Sequence, residues 1–237
     1  TGSHAAGVLM AALRHRRKTG KGMFIDVSQQ ESSVALMGPE VLAYQMTGQE
    51  PERQGNRSGW YAPANSYPCA GEDRWVTIAA TNEERWQSLA DAIGIDGLAD
   101  DPKFATLKKR RENHDELDRI IGEWTSSQEA YAVTEILQNV GVPAGPVLRG
   151  PDLLADAHYK DRGTFVTVDH PQVGLKQYPG IPWRMSATPG QVRWPSPTLG
   201  QHNREVYNEL LGLTGIEIDQ LDETGIIGTK PTGSRII

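Results

Sequence analysis

The sequence predicts an α/β protein, and three observations carry that prediction. The chain opens on a helix, a tight turn, a strand and a helix, the order of one unit of a layered α/β domain. Short β-branched strands then alternate with amphipathic helices. Composition shifts near residues 48 and 163 separate an α/β end piece, a middle α+β part and a C-terminal segment.

Residues 3–18 are rich in helix formers, and Val8, Leu9, Ala11, Ala12 and Leu13 fall on one side, which is expected to be buried. The basic run Arg14-His15-Arg16-Arg17-Lys18 suits a helix C-terminus, and Gly20 suits the stop after it. Residues 23–27 (Met-Phe-Ile-Asp-Val) read as a strand. Ser28 can then cap a helix over 29–44, kinked at Gly38-Pro39. Residues 47–68, with scattered glycines and prolines, read as loop.

A second strand is expected over 74–80 and a helix over 83–93, capped by Asn82, with Trp86, Leu89 and Ala90 inward. A charged helix follows over 107–124, with Leu117, Ile120, Ile121 and Trp124 inward. Ser126 and Glu129 have the spacing of a capping box for a helix that ends at Gly141. Pro143 and Pro146 make 142–148 an extended edge segment. Leu153, Leu154 and His158 share a short helix. Strands over 165–168 and 174–178 flank a His170-Pro171 turn. After a stretch rich in Pro, Trp and Arg, helices are expected over 202–212, with Val206, Leu210 and Leu211 inward, and over 214–225. The tail from 228 reads as a loose end.

The 237 residues are 38% hydrophobic and 23% charged, which is ordinary globular composition. Twenty-four Lys and Arg against 30 Asp and Glu give a formal charge of −6, so there is no bulk attraction to nucleic acid or anionic membrane. The single cysteine, Cys69, excludes an internal disulfide and reads as a small buried apolar residue in a cytoplasmic protein. No apolar run reaches the roughly 20 residues of a membrane span, and no signal peptide is recognisable. Thr1-Gly2-Ser3-His4 enters a helix at once, as a cloning scar or a cut from a longer chain would.

The six histidines are scattered and there is no cysteine pair, so no metal site is expected. Lys18-Thr19-Gly20-Lys21-Gly22 shares letters with a P-loop, but it follows a helix and precedes a strand, and reads as a turn. Asn56-Arg57-Ser58-Gly59 lacks the first glycine of a nucleophile elbow. The most informative segment is 54–63. Gly55 and Gly59 allow a ligand close to the backbone, Arg57 can meet a phosphate or carboxylate, and Trp60 and Tyr61 can cover a flat or apolar group. An inter-domain loop with an aromatic plug is the competing reading.

Several segments together resemble the family III CoA-transferases, the group of formyl-CoA:oxalate and carnitine CoA-transferases. They are Thr19-Gly20-Lys21-Gly22 with Ile25-Asp26-Val27-Ser28 and Glu31, Gly71-Glu72-Asp73-Arg74-Trp75-Val76-Thr77-Ile78-Ala79 with Asn82 and Trp86, Gly141-Val142-Pro143-Ala144-Gly145-Pro146-Val147, and Pro197-Thr198-Leu199-Gly200-Gln201-His202-Asn203. Each motif alone is weak; their order and spacing carry the resemblance, which spans nearly the whole chain.

The resemblance implies a partial Rossmann-like large domain plus a smaller α+β domain: residues 1–48 in the large domain, 49–163 as linker and small domain, and 164–237 returning to the large domain. It implies a homodimer of interlocked chains or a complementing N-terminal half. No cofactor is expected to be held permanently; CoA and acyl-CoA enter as substrates, with a carboxylic acid as acceptor. The nucleophilic aspartate of the family is expected about three residues before Thr1, so no catalytic residue is assigned within these residues and the isolated chain is expected to be inactive. Gln29 and Glu31 match the region lining the CoA site, though first-turn helix residues are polar for other reasons too. Gly55, Asn56, Arg57, Ser58, Gly59 and Tyr61 match the loop that covers the site. Gly-Asn-Arg-Ser-Gly replaces the glycine run of the oxalate enzymes, which argues against oxalate. A racemase of 2-methylacyl-CoA thioesters on the same fold, or a non-catalytic truncated copy, stays open beside the transferase.

Overall fold

A computed structural model describes residues 1–231, so the end of the expected loose tail, from 232, lies outside the described residues. The chain divides into two compact units, one over Thr1–Val147 and one beginning at Leu148.

The first unit opens with α1 (Gly2–Thr19), which ends at Gly20 in the left-handed conformation, φ 73°, where a glycine carries no Cβ penalty. Ser28 caps α2 (Gln29–Val34) as expected, its hydroxyl accepting from the backbone N–H of Glu31. A 3₁₀ turn (Ala35–Met37) joins α2 to α3 (Gly38–Thr47), with Pro39 in its first turn, so the predicted 29–44 helix is broken at Gly38-Pro39. None of the residues of α1, α2 or α3 is buried. The expected inward face of α1 is therefore uncovered, with Val8 42% and Leu9 52% exposed. The strand predicted over 23–27 does not form either, and Phe24 stands 92% exposed. A strand exists by pairing, and no neighbour offers this segment a ladder.

The core lies between residues 62 and 142. Here β1 (Ala64–Pro68), β2 (Trp75–Ala79) and β3 (Ala144–Pro146) form an antiparallel sheet in the order β1-β2-β3. Residues 64–68, predicted as loop, are the first strand: Tyr67 pairs with Val76 and Asn65 with Ile78. β3 is an edge strand, which tolerates its proline. β2 alternates, burying Val76 and Ile78. The turn between β1 and β2 uses Gly71 at φ 102° and Asp73 at φ 50°, and Asp73 Oδ1 accepts from the Trp75 indole at 2.8 Å. Cys69 lies just past β1 and is buried, as expected of a small apolar residue.

Helices α4 (Glu83–Ile93), α5 (Leu107–Glu112), α6 (His114–Ser126) and α7 (Ala130–Asn139) complete the unit. α6 packs on β1, and α7 on β2, β3 and α4. Asn82 caps α4 through Oδ1 at 2.8 Å from the Arg85 N–H. The predicted 107–124 helix breaks at Asn113, whose backbone leaves the helical region at φ −113°, ψ 29°. Leu117 and Ile121 are buried, with Ile120 and Trp124 packed beside them. Ser126 closes α6 instead of capping α7; Glu129 holds the N-cap position, and the Ser126 hydroxyl donates back to the Glu123 carbonyl.

In the second unit, α8 (Gly150–Ala155) and α9 (Ala157–Asp161) replace the single short helix expected, separated by Asp156, which caps α9. β4 (Phe165–His170) and β5 (Gly174–Pro179) form the predicted hairpin. The helix predicted over 202–212 is α10 (Asn203–Glu205) followed by a π-helical turn (Val206–Leu210). Its expected inward face is uncovered, with Leu210 76% and Leu211 60% exposed. α11 (Gly215–Glu223) has a full capping box between Thr214 and Glu217. No helix among the described residues is long and apolar enough to cross a membrane.

Candidate functional site

Segment 53–63 leads into β1, and two arginines fix it. The first is Arg110 on α5. Its side chain is only 1% exposed, which is rare for a charged residue unless it is fully paired. Nε donates to the Ala62 carbonyl at 2.7 Å and Nη1 to the Phe104 carbonyl at 2.9 Å. Both Nη atoms reach the Glu83 carboxylate, and the guanidinium lies 5.1 Å from the Trp86 ring centroid. Hydrogen bonds and a cation–π contact thus replace the lost hydration.

The second is Arg57. Nε and Nη2 donate to Asp118 Oδ2 at 3.0 and 2.7 Å, and Nη2 also donates to Asp115 Oδ1 at 2.6 Å. Asp118 collects two further donors from β1: Asn65 Nδ2 at 3.0 Å and the Tyr67 hydroxyl at 2.8 Å. The hydrogen bonds to Asp115 and Asp118 push the Arg57 guanidinium above its ordinary range. Burial, and then the Asp118 charge, push the Tyr67 phenol well above its ordinary value, so it serves as a fixed donor.

Around this anchor the loop and the α5–α6 corner enclose an open cleft of about 680 Å³, a size usual for small-molecule sites. Arg53, Gln54, Arg57, Ser58 and Gly59 form one wall, and Leu107, Lys108, Arg111, Glu112 and His114 the other. Gln54 Oε1 lies 3.6 Å from where a side chain at Gly59 would begin. The Ser58 hydroxyl accepts from the Trp60 N–H at 3.0 Å. His114 Nε2 is buried without a hydrogen-bond partner. Burial, with the positive charges of Arg57 and Arg111, holds this imidazole below its ordinary range.

The expected site residues separate into groups. Arg57, Ser58 and Gly59 line the cleft, but the carboxylates that Arg57 meets are the chain's own. Gly55 forms a turn at φ 61°. Asn56 lines a different cleft with Asn65, Thr77 and Gly145 on the sheet. Tyr61 is 40% and Trp60 81% exposed, so neither plugs the loop. Gln29 and Glu31 sit in the first turn of α2, exposed, and line neither of these clefts. The sequence reading missed Asp118, Asn65, Tyr67 and Arg110. For Arg110 a signal exists: it continues the Leu117, Ile121 stripe back by seven residues, although it lies in a Lys-Lys-Arg-Arg run that looks solvated. No group of three or more metal-ligating side chains occurs among the described residues.

A sequence model of CoA-transferase family III matches residues 1–203. The chain belongs to that family. Among relatives of this family III chain, the succinyl-CoA–D-citramalate CoA-transferase of Chloroflexus aurantiacus is 38% identical over 223 residues, covering 94% of this chain and 55% of the relative. The formyl-CoA:oxalate CoA-transferase of Streptomyces avermitilis is 33% identical over 242 residues, 96% of this chain and 59% of the relative. The family III chain therefore spans little more than half the length of either. A crystal structure of a CAIB/BAIF family protein from Brucella suis superposes with a TM-score of 0.73 at 30% identity, over 89% of this chain and 54% of that one. The family III fold expected from the sequence is thereby established.

Proposed function

We propose that this chain is the C-terminal portion of an enzyme that moves CoA from an acyl-CoA to a carboxylic acid through an aspartyl-CoA thioester. The observation that carries the reading is the family match over residues 1–203, joined to named CoA-transferases at 38% and 33% identity.

An aspartate outside these residues attacks the donor thioester carbonyl, expelling the CoA thiolate and forming a mixed anhydride. The thiolate attacks the aspartyl carbonyl, releasing the donor acid and leaving aspartyl-CoA. The acceptor carboxylate attacks that thioester, again expelling CoA thiolate, which then attacks the acceptor carbonyl of the new anhydride. The acceptor acyl-CoA leaves and the aspartate is regenerated, with no net change in oxidation state or proton count. Water would hydrolyse either anhydride, so the site needs a cover. Segment 54–61, fixed through Arg57, is suited to that role, with Gly55 and Gly59 giving room for the acyl group. Gln29 and Glu31 are proposed to face the CoA side of the completed site.

The uncovered apolar faces of α1 and of residues 23–46 support assembly with further polypeptide, as a homodimer or with an N-terminal half. A cytoplasmic location accords with this chemistry. The test is to incubate the protein, alone and with a polypeptide supplying the N-terminal half, with succinyl-CoA and candidate acids. New acyl-CoA is followed by mass spectrometry, and the aspartyl thioester is trapped with hydroxylamine. Transfer without any trappable enzyme thioester would overturn the mechanism, and absence of transfer in the assembled enzyme would overturn the function.

A further inference from the structure

We infer that the cleft between residues 53–59 and α5 holds the non-reacting carboxylate of a dicarboxylic acid or of its monothioester, with Arg53 and Arg111 as the recognising cations. The inference rests on the transferase reading and names its substrate class.

Four cations line the cleft: Arg53, Arg57, Lys108 and Arg111. Two are already engaged. Arg57 is bound to Asp115 and Asp118, and Lys108 lies 3.9 Å from Glu112, which Lys109 also holds at 2.8 Å. The side chains of Arg53 and Arg111 make no hydrogen bond or ion pair among the described residues, although every other arginine of this wall and its neighbours is satisfied: Arg57, Arg110 and Arg119. The two come from different elements, one from the loop and one from α5, and face one concavity. The overall charge of −6 makes a cationic concavity a local departure from the rest of the protein. Solvated surface arginines need no such convergence and no anchored wall, whereas the Arg57–Asp118 contact fixes the wall that carries Arg53.

The buried Nε2 of His114 adds a second, independent feature. A buried ring nitrogen without a partner is costly; the residue lines the cleft, while this nitrogen is closed off from solvent.

Arginine forks bind carboxylate and phosphate alike. Two unengaged guanidinium groups match one or two carboxylates. The nucleotide end of CoA carries more negative charge than they would offset. The reaction supplies the remaining argument. Succinate, citramalate and oxalate, which the names of the relatives above give beside formate, are dicarboxylic. One carboxylate of such an acid becomes the thioester, while the other stays ionised through every step. In the completed, covered site that the proposed chemistry requires, that charge needs a fixed counter-charge. A planar fork also holds its orientation, which an ammonium does not.

The experiment compares glutarate with valerate, acids of equal chain length that differ by one carboxylate. Binding to the purified protein is measured by calorimetry, and CoA transfer from succinyl-CoA is measured in the assembled enzyme. The variants are Arg53→Gln, Arg111→Gln, the double variant and Arg111→Lys; both positions are exposed, so the fold is expected to persist and is checked by circular dichroism. The expected result is at least tenfold preference for glutarate in the native protein. Each Gln variant should raise the KM for glutarate at least tenfold and leave kcat and the valerate KM within twofold, and Arg111→Lys should recover part of the loss. Equal binding of the two acids, or a preference that survives the double variant, overturns the inference and leaves the transferase reading standing. Inorganic phosphate displacing glutarate at equal or lower concentration also overturns it, because the cleft would then be a phosphate site. Glutarate binding that depends on both arginines, in an enzyme that transfers CoA to no acid, supports the cleft and overturns the transferase reading.

Discussion

Arg57 and Asp118, 61 positions apart, meet through two hydrogen bonds of 3.0 and 2.7 Å onto a single carboxylate oxygen. The other oxygen takes the Tyr67 hydroxyl. One side chain of α6 thus joins the loop, the first strand and the helix. Its removal strands three donors at once. Asp118→Ala is expected to cost about 2–3 kcal/mol in urea denaturation, because Tyr67 and Asn65 lose their acceptor in a half-buried setting. Arg57→Ala should cost less, about 1 kcal/mol, since Asp118 keeps the donors from Asn65 and Tyr67 and Arg57 is partly solvated. The double variant should fall short of the sum, the excess measuring the pair itself. Strict additivity would mean that the loop is not fixed through this contact.

Arg110 tests whether a buried charge can position a loop. Arg110→Met keeps the volume but leaves the Ala62 and Phe104 carbonyls without their donor. The expected loss is about 2–4 kcal/mol, together with faster trypsin cleavage after Arg53 and Arg57, because the end of the loop at Ala62 is released. Arg110→Lys should recover little, as an ammonium lacks the planar fork that reaches two carbonyls and a carboxylate together. Stability within 0.5 kcal/mol of the native protein would contradict this account.

The first unit places its stability in the middle of the chain. Leu117 and Ile121 are fully buried, so Leu117→Ala and Ile121→Ala should each cost about 2–5 kcal/mol by thermal or urea unfolding. In the isolated monomer Leu9→Ser and Leu210→Ser, at uncovered positions, should change stability by less than about 0.5 kcal/mol. A large loss at Leu9 would show that α1 is covered in solution by a second chain, and the loss would then depend on protein concentration.

That contrast also explains what the sequence made legible. Local signals were read correctly where the chain supplies both sides of a contact: Asn82 capping α4, the Leu117 and Ile121 stripe, the β4–β5 hairpin. They misled where the partner is not at hand. Residues 23–27 have strand composition without a ladder, and Leu210 and Leu211 have an inward face with nothing to cover it. Segment 54–63 was legible as a loop, but not its anchoring. Asp118 reaches Arg57 from 61 residues away, and no local pattern records so distant a pairing. Arg53 and Arg111 looked like ordinary surface cations because convergence on one cleft is a property of the fold.

His114 gives the site a pH dependence of definite sign. Burial, with Arg57 and Arg111 nearby, lowers its affinity for a proton below the ordinary value of 6.5, against the opposing pull of Asp118 and Asp115. The folded protein therefore favours the neutral ring. Above about pH 6.5 both folded and unfolded chains hold it neutral, and the group adds no pH dependence there. As pH falls through 6.5 the unfolded chain takes up a proton that the folded chain resists, and stability declines until the folded ring also titrates. Denaturation midpoints should thus drop as pH falls below about 6.5, and His114→Gln should flatten that part of the profile. The ring signal of His114, followed by NMR, should titrate below the ordinary value of 6.5. Glutarate, bound at the arginines of the same cleft, should raise that midpoint by placing a negative charge beside the ring. A midpoint at or above 6.5 in the free protein would show that Asp118 and Asp115 outweigh burial, and the low-pH decline would then have another source.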